Sequence, residues 1–185
     1  MQNTYTLHVA GLTRRLRYFP LGSGLYIAGF VMFGDIELTV RCAEELLKLC
    51  PEYDVLITAE SKGVPLAYEM AKQHGDDTYL VARKQKKLYM TDISSAEVQS
   101  ITTEVRQTLY LDGADAAKIE GKRILIVDDV ISTGGSMAVV EKLIGQAGGT
   151  VAGRAAVLAE GDAIEREDIV YLAPLPLFTE KEVHL

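Results

Sequence analysis

One segment of the chain joins paired carboxylates to a glycine-rich turn. Asp128 and Asp129 follow the apolar run at 124–127, which predicts a strand buried in the centre of a parallel sheet. The chain then turns into a predicted helix through Ser132, Thr133, Gly134, Gly135 and Ser136. Glycine lets the backbone approach a ligand closely, and the amides of a helix start attract phosphate. The segment therefore favours a phosphorylated ligand whose hydroxyl groups the carboxylates can hold.

Two other segments carry cations in places suited to an anion. Glu60, Ser61, Lys62 and Gly63 separate a predicted strand (54–59) from a predicted helix (64–74). Arg83, Lys84, Lys86 and Lys87 open a stretch without periodicity at 84–95, which predicts a long loop. Taken singly, each segment has an ordinary alternative: a capped turn for 132–136, a plain helix start for 60–63 and a solvated charged loop for 83–87. The Walker A and dinucleotide-binding glycine patterns are both absent.

Strand and helix patterns alternate through the middle of the chain, which predicts an α/β domain with a parallel sheet. Helices are expected at 35–50, 64–74 and 135–147, and strands at 54–59, 78–83, 123–129 and 150–161. A hairpin is expected from 97–103 and 107–112, and short strands from the first 30 residues.

The composition narrows the class of partner. The 185 residues carry a net charge of −7, which argues against nucleic acid, and no apolar stretch is long enough to cross a bilayer. The first residues lack the pattern of a signal peptide, so we expect a cytoplasmic protein without a membrane partner. Cys42 and Cys50 lie too far apart on one helix for a disulfide and are expected to be free thiols.

The stretch VDDVISTGGS at 127–136 resembles the signature with which type I phosphoribosyltransferases bind phosphoribosyl pyrophosphate (PRPP). The 60–63 segment resembles the pyrophosphate loop of that family, and RKQKKL at 83–88 resembles the start of the mobile loop of adenine phosphoribosyltransferases. The resemblance implies a central parallel sheet flanked by helices. It also implies one domain over 1–185, with a core at 35–167 and a small hood formed by 1–34 and 168–185.

The resemblance also implies a role for each segment. Asp128 and Asp129 would hold the ribose hydroxyls, and the turn at 132–136 the 5′-phosphate. The pyrophosphate would be bound by Glu60, Ser61, Lys62, Gly63, Arg83, Lys84 and Lys87. Mg²⁺ would be the cofactor, held mainly through PRPP, with Asp128 or Asp129 as a candidate ligand. A homodimer is the expected assembly.

The base and the proton-transfer residue are less defined. Adenine enzymes typically carry Y-x-x-E-Y-G after the mobile loop, and Ser100 stands near the place of that glutamate. Glu97 is therefore the candidate for proton transfer, with a surface glutamate on a strand edge as the alternative. Lys87 of the mobile loop is the other candidate catalytic residue. The loop is also similar to that of xanthine phosphoribosyltransferases. Adenine is the favoured base. The alternatives are an enzyme for xanthine or another 6-oxopurine and a PRPP-sensing regulator. Phe19, Tyr26 and Phe30 are candidate residues for stacking on the base, with core packing as the alternative role.

Overall fold

The computed structural model of the chain describes residues 4–99 and 106–183. The strands are β1 (Thr4–Val9), β2 (Leu12–Gly22), β3 (Leu25–Ala28), β4 (Val55–Ala59), β5 (Leu80–Ala82), β6 (Ser94–Gln99), β7 (Arg106–Leu111), β8 (Arg123–Ile131), β9 (Thr150–Glu160), β10 (Val170–Leu175) and β11 (Phe178–Thr179). The helices are α1 (Ile36–Leu49), α2 (Val64–His74), α3 (Gly113–Ile119), α4 (Gly135–Gln146) and α5 (Glu180–Val183), with a 3-10 helix at Gly161–Glu165.

Five strands form the core sheet in the order β10-β9-β8-β4-β5, and every pair in it is parallel. All five residues of β4 are buried, as are residues 124–127 of β8, because helices or other elements cover both faces. One core packs α1, α2 and the N-terminal strands against the sheet, and a second packs α4 and the β6-β7 hairpin on the other face. The predicted α/β architecture is confirmed.

Local signals set the ends of the helices that flank the site. Asp35 caps α1 by accepting a hydrogen bond from the Leu38 amide at 3.1 Å. Gly75 ends α2 in the left-handed conformation, at φ 89°, which glycine adopts without strain. The sequence predicted both helices within a residue of these bounds.

A second sheet is antiparallel, with the order β1-β2-β3-β11, and we call it the hood. Phe178 of β11 closes it by packing against Tyr5 and Tyr18, at ring-centroid distances of 5.1 and 4.9 Å. Of the C-terminal segment that we assigned to the hood, β10 pairs with β9 at the edge of the core sheet, and β11 pairs with β3. That segment therefore contributes to both sheets.

The hairpin differs in detail from its prediction. β6 begins at Ser94, which pairs with Leu111, so the loop that we expected over 84–95 ends at residue 93. The part of the predicted hairpin at 100–103 lies outside the described residues. Within the described part of the chain, no helix is long and apolar enough to span a membrane. Cys42 and Cys50 are free, as predicted, and burial raises their pKa values to about 12 and about 11.

Candidate active site

The carboxyl ends of β4 and β8 meet at one edge of the core sheet, because the two strands are parallel neighbours. There the Asp128 carboxylate accepts hydrogen bonds from the Ser61 hydroxyl and from the Asp129 amide, both at 2.9 Å. Gly63 makes this approach possible, since a Cβ on it would lie 2.8 Å from Asp128 Oδ1. The structure thus joins the 60–63 loop to the paired carboxylates.

Asp129 is only 4% exposed, yet its carboxylate is incompletely bonded. The Lys62 ammonium forms an ion pair with Asp129 Oδ2 at 3.1 Å and also donates a hydrogen bond to the Phe30 carbonyl at 3.0 Å. Apart from this ion pair, Oδ2 has no hydrogen-bond partner among the described residues. A buried carboxylate oxygen with one ionic partner can accept further bonds, and a ligand hydroxyl or a hard cation at this position would supply them.

Burial and a neighbouring charge alter the protonation of Asp128. Burial, followed by repulsion from the charge of Asp129, raises the pKa of Asp128 to about 7. The hydrogen bonds from Ser61 and from the Asp129 amide act in the opposite direction and are too weak to restore an ordinary pKa. The pair is therefore poised to bind groups that donate hydrogen bonds or carry positive charge.

Two helices begin beside these carboxylates without a side-chain cap. α2 follows Gly63 and α4 follows Gly134, and neither has an acidic residue in its first turn. By contrast, Asp35 caps α1 and Asp112 caps α3. Glycine at the cap position costs only roughly a few tenths of a kcal/mol relative to a capping side chain, and it leaves the positive end of the helix dipole available to an anion. Both uncapped helix starts lie in the segments that the sequence predicted to bind phosphate groups.

The 132–136 turn is shaped for close approach and is joined by a cation. Ser132 and Thr133 are exposed, and Gly134 has φ 75°, a conformation that favours glycine. Arg166 Nη1 lies 2.5 Å from the position that a Cβ on Gly134 would take. The Arg166 guanidinium is held in place by Asp168, with hydrogen bonds of 2.8 and 2.7 Å. A guanidinium thus borders the predicted phosphate site.

Glu60 binds the basic loop, which we define as residues 83–93. Its Oε1 lies 3.3 Å from Arg83 Nη1 and 3.8 Å from Lys87 Nζ, and its Oε2 accepts a hydrogen bond from the Lys84 amide at 2.9 Å. Arg83 also donates to the Tyr89 hydroxyl. In this conformation two of the cations predicted to bind pyrophosphate, Arg83 and Lys87, are paired with Glu60, beside the 60–63 loop.

Glu97 lies farther along the chain, exposed on β6, and its backbone carbonyl accepts a hydrogen bond from Lys142 of α4 at 3.0 Å. Its role in proton transfer stays a prediction, and Ser100 lies outside the described residues. Among the candidate stacking residues, Phe30 is buried in the core and Phe19 is 48% exposed. Phe30 reaches the site through its carbonyl, which binds Lys62.

Three residues at or near the site were not identified from the sequence: Tyr89, Glu160 and Arg166. Glu160 ends the apolar run of β9, so the same signal that identified Asp128 and Asp129 could have found it. Arg166 follows a short 3-10 helix and is brought to Gly134 by tertiary packing. No local pattern indicates that contact.

The parallel sheet, the acidic pair at the end of β8 and the glycine turn into α4 together form a site suited to a phosphorylated ligand that carries hydroxyl groups. The phosphoribosyl transferase domain family matches residues 35–173, and the chain belongs to that family. It is accordingly a glycosyltransferase, as the sequence predicted.

Curated relatives and solved structures agree with this membership. The chain is 32% identical over 130 residues to the hypoxanthine/guanine phosphoribosyltransferase of Methanothermococcus okinawensis, covering 70% of this chain and 67% of that protein. It is 30% identical over 150 residues to the adenine phosphoribosyltransferase of Rhodococcus jostii, covering 81% and 82%. The crystal structure of adenine phosphoribosyltransferase from Thermoanaerobacter pseudethanolicus has a TM-score of 0.69 at 22% identity, covering 86% of this chain and 95% of that chain. The last likeness shows the fold.

Proposed function

We propose that this chain transfers the phosphoribosyl group of PRPP to a purine base, preferably adenine, as in purine salvage. The products are a nucleoside 5′-monophosphate and pyrophosphate. The observation that carries the proposal is the acidic pair at the end of β8, where buried Asp129 Oδ2 has no hydrogen-bond partner among the described residues. Ribose hydroxyls are donors of the kind that such an oxygen requires.

Each part of PRPP has a matching group around this pair. Asp128 and Asp129 bind the ribose hydroxyls, and the uncapped start of α4 at 132–136 binds the 5′-phosphate. The pyrophosphate lies against the uncapped start of α2, where Lys62 supplies a cation. Arg83, Lys84 and Lys87 exchange Glu60 for pyrophosphate when the basic loop closes.

The residues also fit Mg²⁺, the expected cofactor. Carboxylate oxygens are the ligands that this hard cation prefers, and Asp129 Oδ2, which has an ion pair with Lys62 but no hydrogen bond among the described residues, is one such donor. Asp128 or Asp129 would hold the ion together with oxygens of PRPP. When bound, Mg²⁺ neutralises negative charge on the pyrophosphate leaving group.

The protein residues mainly position PRPP and stabilise charge. Displacement of pyrophosphate from ribose C1 builds positive charge on the sugar and negative charge on the leaving group, and carboxylates and cations held at fixed distances stabilise both. Closure of the basic loop excludes water, which would otherwise hydrolyse the activated sugar. Glu97 is proposed to receive the proton that the base releases, and Lys87 to stabilise the departing pyrophosphate.

Both a sequence relative and a structural neighbour support the preference for adenine. The Rhodococcus relative and the Thermoanaerobacter structure are both adenine phosphoribosyltransferases. The archaeal relatives are hypoxanthine/guanine phosphoribosyltransferases, which favours a 6-oxopurine as the second candidate. Both groups support a purine.

We also propose that the protein is a homodimer. Val31, Phe33, Ile36 and Tyr68 are each more than half exposed, and Ile36 and Tyr68 line an apolar groove of about 300 Å³ between α1 and α2. Exposed apolar side chains that cluster in this way are typical of an interface. If two copies of the chain associate through this surface, analytical ultracentrifugation should give twice the monomer mass. The Tyr68→Glu variant should then be monomeric.

A base screen tests the proposed transfer. The chain is incubated with PRPP, Mg²⁺ and one base at a time, and pyrophosphate release is followed with adenine, guanine, hypoxanthine, xanthine, uracil and orotate. We expect turnover with purines and the largest kcat/KM with adenine. PRPP binding without turnover on any base would instead favour the PRPP-sensing regulator.

The Lys87→Ala variant tests the role of the basic loop. Turnover should fall about tenfold or more, because a cation beside the leaving group is lost, while the unfolding temperature stays unchanged. Lys118→Ala is the matched control, since Lys118 pairs with Asp115 on the surface of α3. Full activity in the Lys87 variant would mean that the loop is simply solvated.

A further inference from the structure

Glu60 is an acidic residue in a loop whose other features favour an anion. It follows Ala59, the last residue of β4, and precedes the uncapped start of α2 and the Lys62 ammonium. A helix start and a cation both attract pyrophosphate, whereas a carboxylate beside it repels it. Direct binding of the pyrophosphate therefore does not account for a glutamate at this position.

The contacts of Glu60 resemble those that a phosphate group would make. One carboxylate oxygen faces the Arg83 guanidinium and the Lys87 ammonium, and the other accepts from the Lys84 amide. Guanidinium, ammonium and backbone amide groups are also the usual donors to phosphate oxygens. Glu60 is fixed at this place, because its own amide donates to the Ala82 carbonyl of β5 at 2.8 Å. Its carboxylate thus occupies the groups that pyrophosphate requires.

The basic loop is anchored at both ends and free to move between them. Arg83 exchanges two backbone hydrogen bonds with Tyr110 of β7, both at 2.8 Å. At the other end the Thr91 amide donates to the Asp112 carboxylate at 3.1 Å. Leu88 is fully exposed between these anchors, so little apolar burial holds the middle of the loop. The anion that pairs with the loop cations therefore has a large influence on where the loop lies.

We propose that Glu60 is an internal competitor of pyrophosphate, which weakens the binding of PRPP and promotes the release of pyrophosphate after the transfer. This inference rests on the proposed phosphoribosyl transfer. The ion pairs of Glu60 with Arg83 and Lys87 are partly exposed, and pairs of this kind contribute little to stability. A ligand with more negative charge can therefore displace the carboxylate. When pyrophosphate leaves, Glu60 pairs again with the loop cations and opposes its return.

Isothermal titration of the Glu60→Gln variant with pyrophosphate and Mg²⁺ tests the competition. The amide keeps the size of the side chain but loses its charge, so Kd for pyrophosphate should fall about fivefold or more, as expected for the loss of exposed ion pairs. Ribose 5-phosphate has no pyrophosphate group and should bind equally well to the variant and the wild type. Product inhibition by pyrophosphate should strengthen by the same factor as its binding. A glutamate that binds the substrate directly would give the opposite change.

Two further variants make the result specific. Glu52→Gln is the matched control and should leave Kd unchanged, because Glu52 is exposed before β4, at the opposite end of that strand from Glu60. Glu60→Asp keeps the charge and should bind pyrophosphate less tightly than Glu60→Gln. Unchanged or weaker pyrophosphate binding in Glu60→Gln, or an equal gain for ribose 5-phosphate, overturns the inference and leaves the proposed transfer intact. A wild type that binds neither PRPP nor pyrophosphate overturns both.

Discussion

Replacing Asp128 with Asn should stabilise the protein while abolishing PRPP binding. A carboxyl group whose pKa is higher in the folded than in the unfolded state lowers the stability of the protein as the pH rises through the range between the two pKa values. For Asp128 the pKa is about 7 in the folded state and 3.8 in the unfolded state. The difference of about three pKa units, at about 1.4 kcal/mol per unit, gives about 4 kcal/mol as an upper bound on the loss of stability. Because part of the Asp128 shift is repulsion from a neighbouring carboxylate, we expect about 2–4 kcal/mol at pH 8.

Asparagine is neutral at every pH, and its carbonyl oxygen can still accept the hydrogen bonds from Ser61 and the Asp129 amide. The gain in a chain of this length corresponds to an unfolding temperature higher by about 5–15 °C at pH 8. It should shrink steadily as the pH falls from about 7 to about 3, because below that range the wild-type carboxyl is mostly protonated in both states. Scanning calorimetry over this range measures the effect, and isothermal titration measures PRPP binding with Mg²⁺.

Asp77→Asn is the matched control, because Asp77 is exposed between α2 and β5. The stability of this variant should differ little from that of the wild type. The reasoning would be refuted if Asp128→Asn were no more stable than the wild type at pH 8. It would also be refuted if the gain were the same at every pH, since only a titrating carboxyl gives the expected slope.

Two further substitutions probe the loops that surround the acidic pair. Gly63→Ala places a Cβ 2.8 Å from Asp128 Oδ1 and should raise KM for PRPP about tenfold or more, because it displaces that carboxylate. Gly145→Ala on α4 is the control and should leave KM unchanged, because a Cβ there would have nothing within 4 Å. Equal kinetics in the two variants would contradict the close approach. Glu60→Gln removes the charge that holds Lys87, so hydrogen exchange in the basic loop should become faster; unchanged exchange would mean that Glu60 does not restrain it.

The strand and helix that carry the acidic pair could be predicted because their signals are local. The apolar run of β8 is continuous, and Asp128 and Asp129 follow it directly. The same holds for α1, where Asp35 stands at the cap position. α3 was missed because it has only seven residues, too few for an amphipathic pattern to stand out.

Contacts between distant segments account for the rest. Lys62 binds the Phe30 carbonyl, 32 residues earlier, and Glu60 binds the Lys84 amide, 24 residues later. Neither contact has a signature in the residues near it, because each depends on which strands become neighbours in the sheet. The deep burial of Asp129 likewise follows from the packing of both sheet faces and not from its position in the sequence.

The hood has a consequence for how the protein matures. Its first three strands precede the whole core sheet along the chain, but β11, which pairs with β3, follows that sheet. Phe178 must therefore leave the ribosome before its packing against Tyr5 and Tyr18 can form. The parallel sheet can assemble while the hood is still incomplete. A nascent chain would thus contain the acidic pair and the phosphate turn before the hood is complete, so we expect catalytic competence to be acquired only after β11 has left the ribosome.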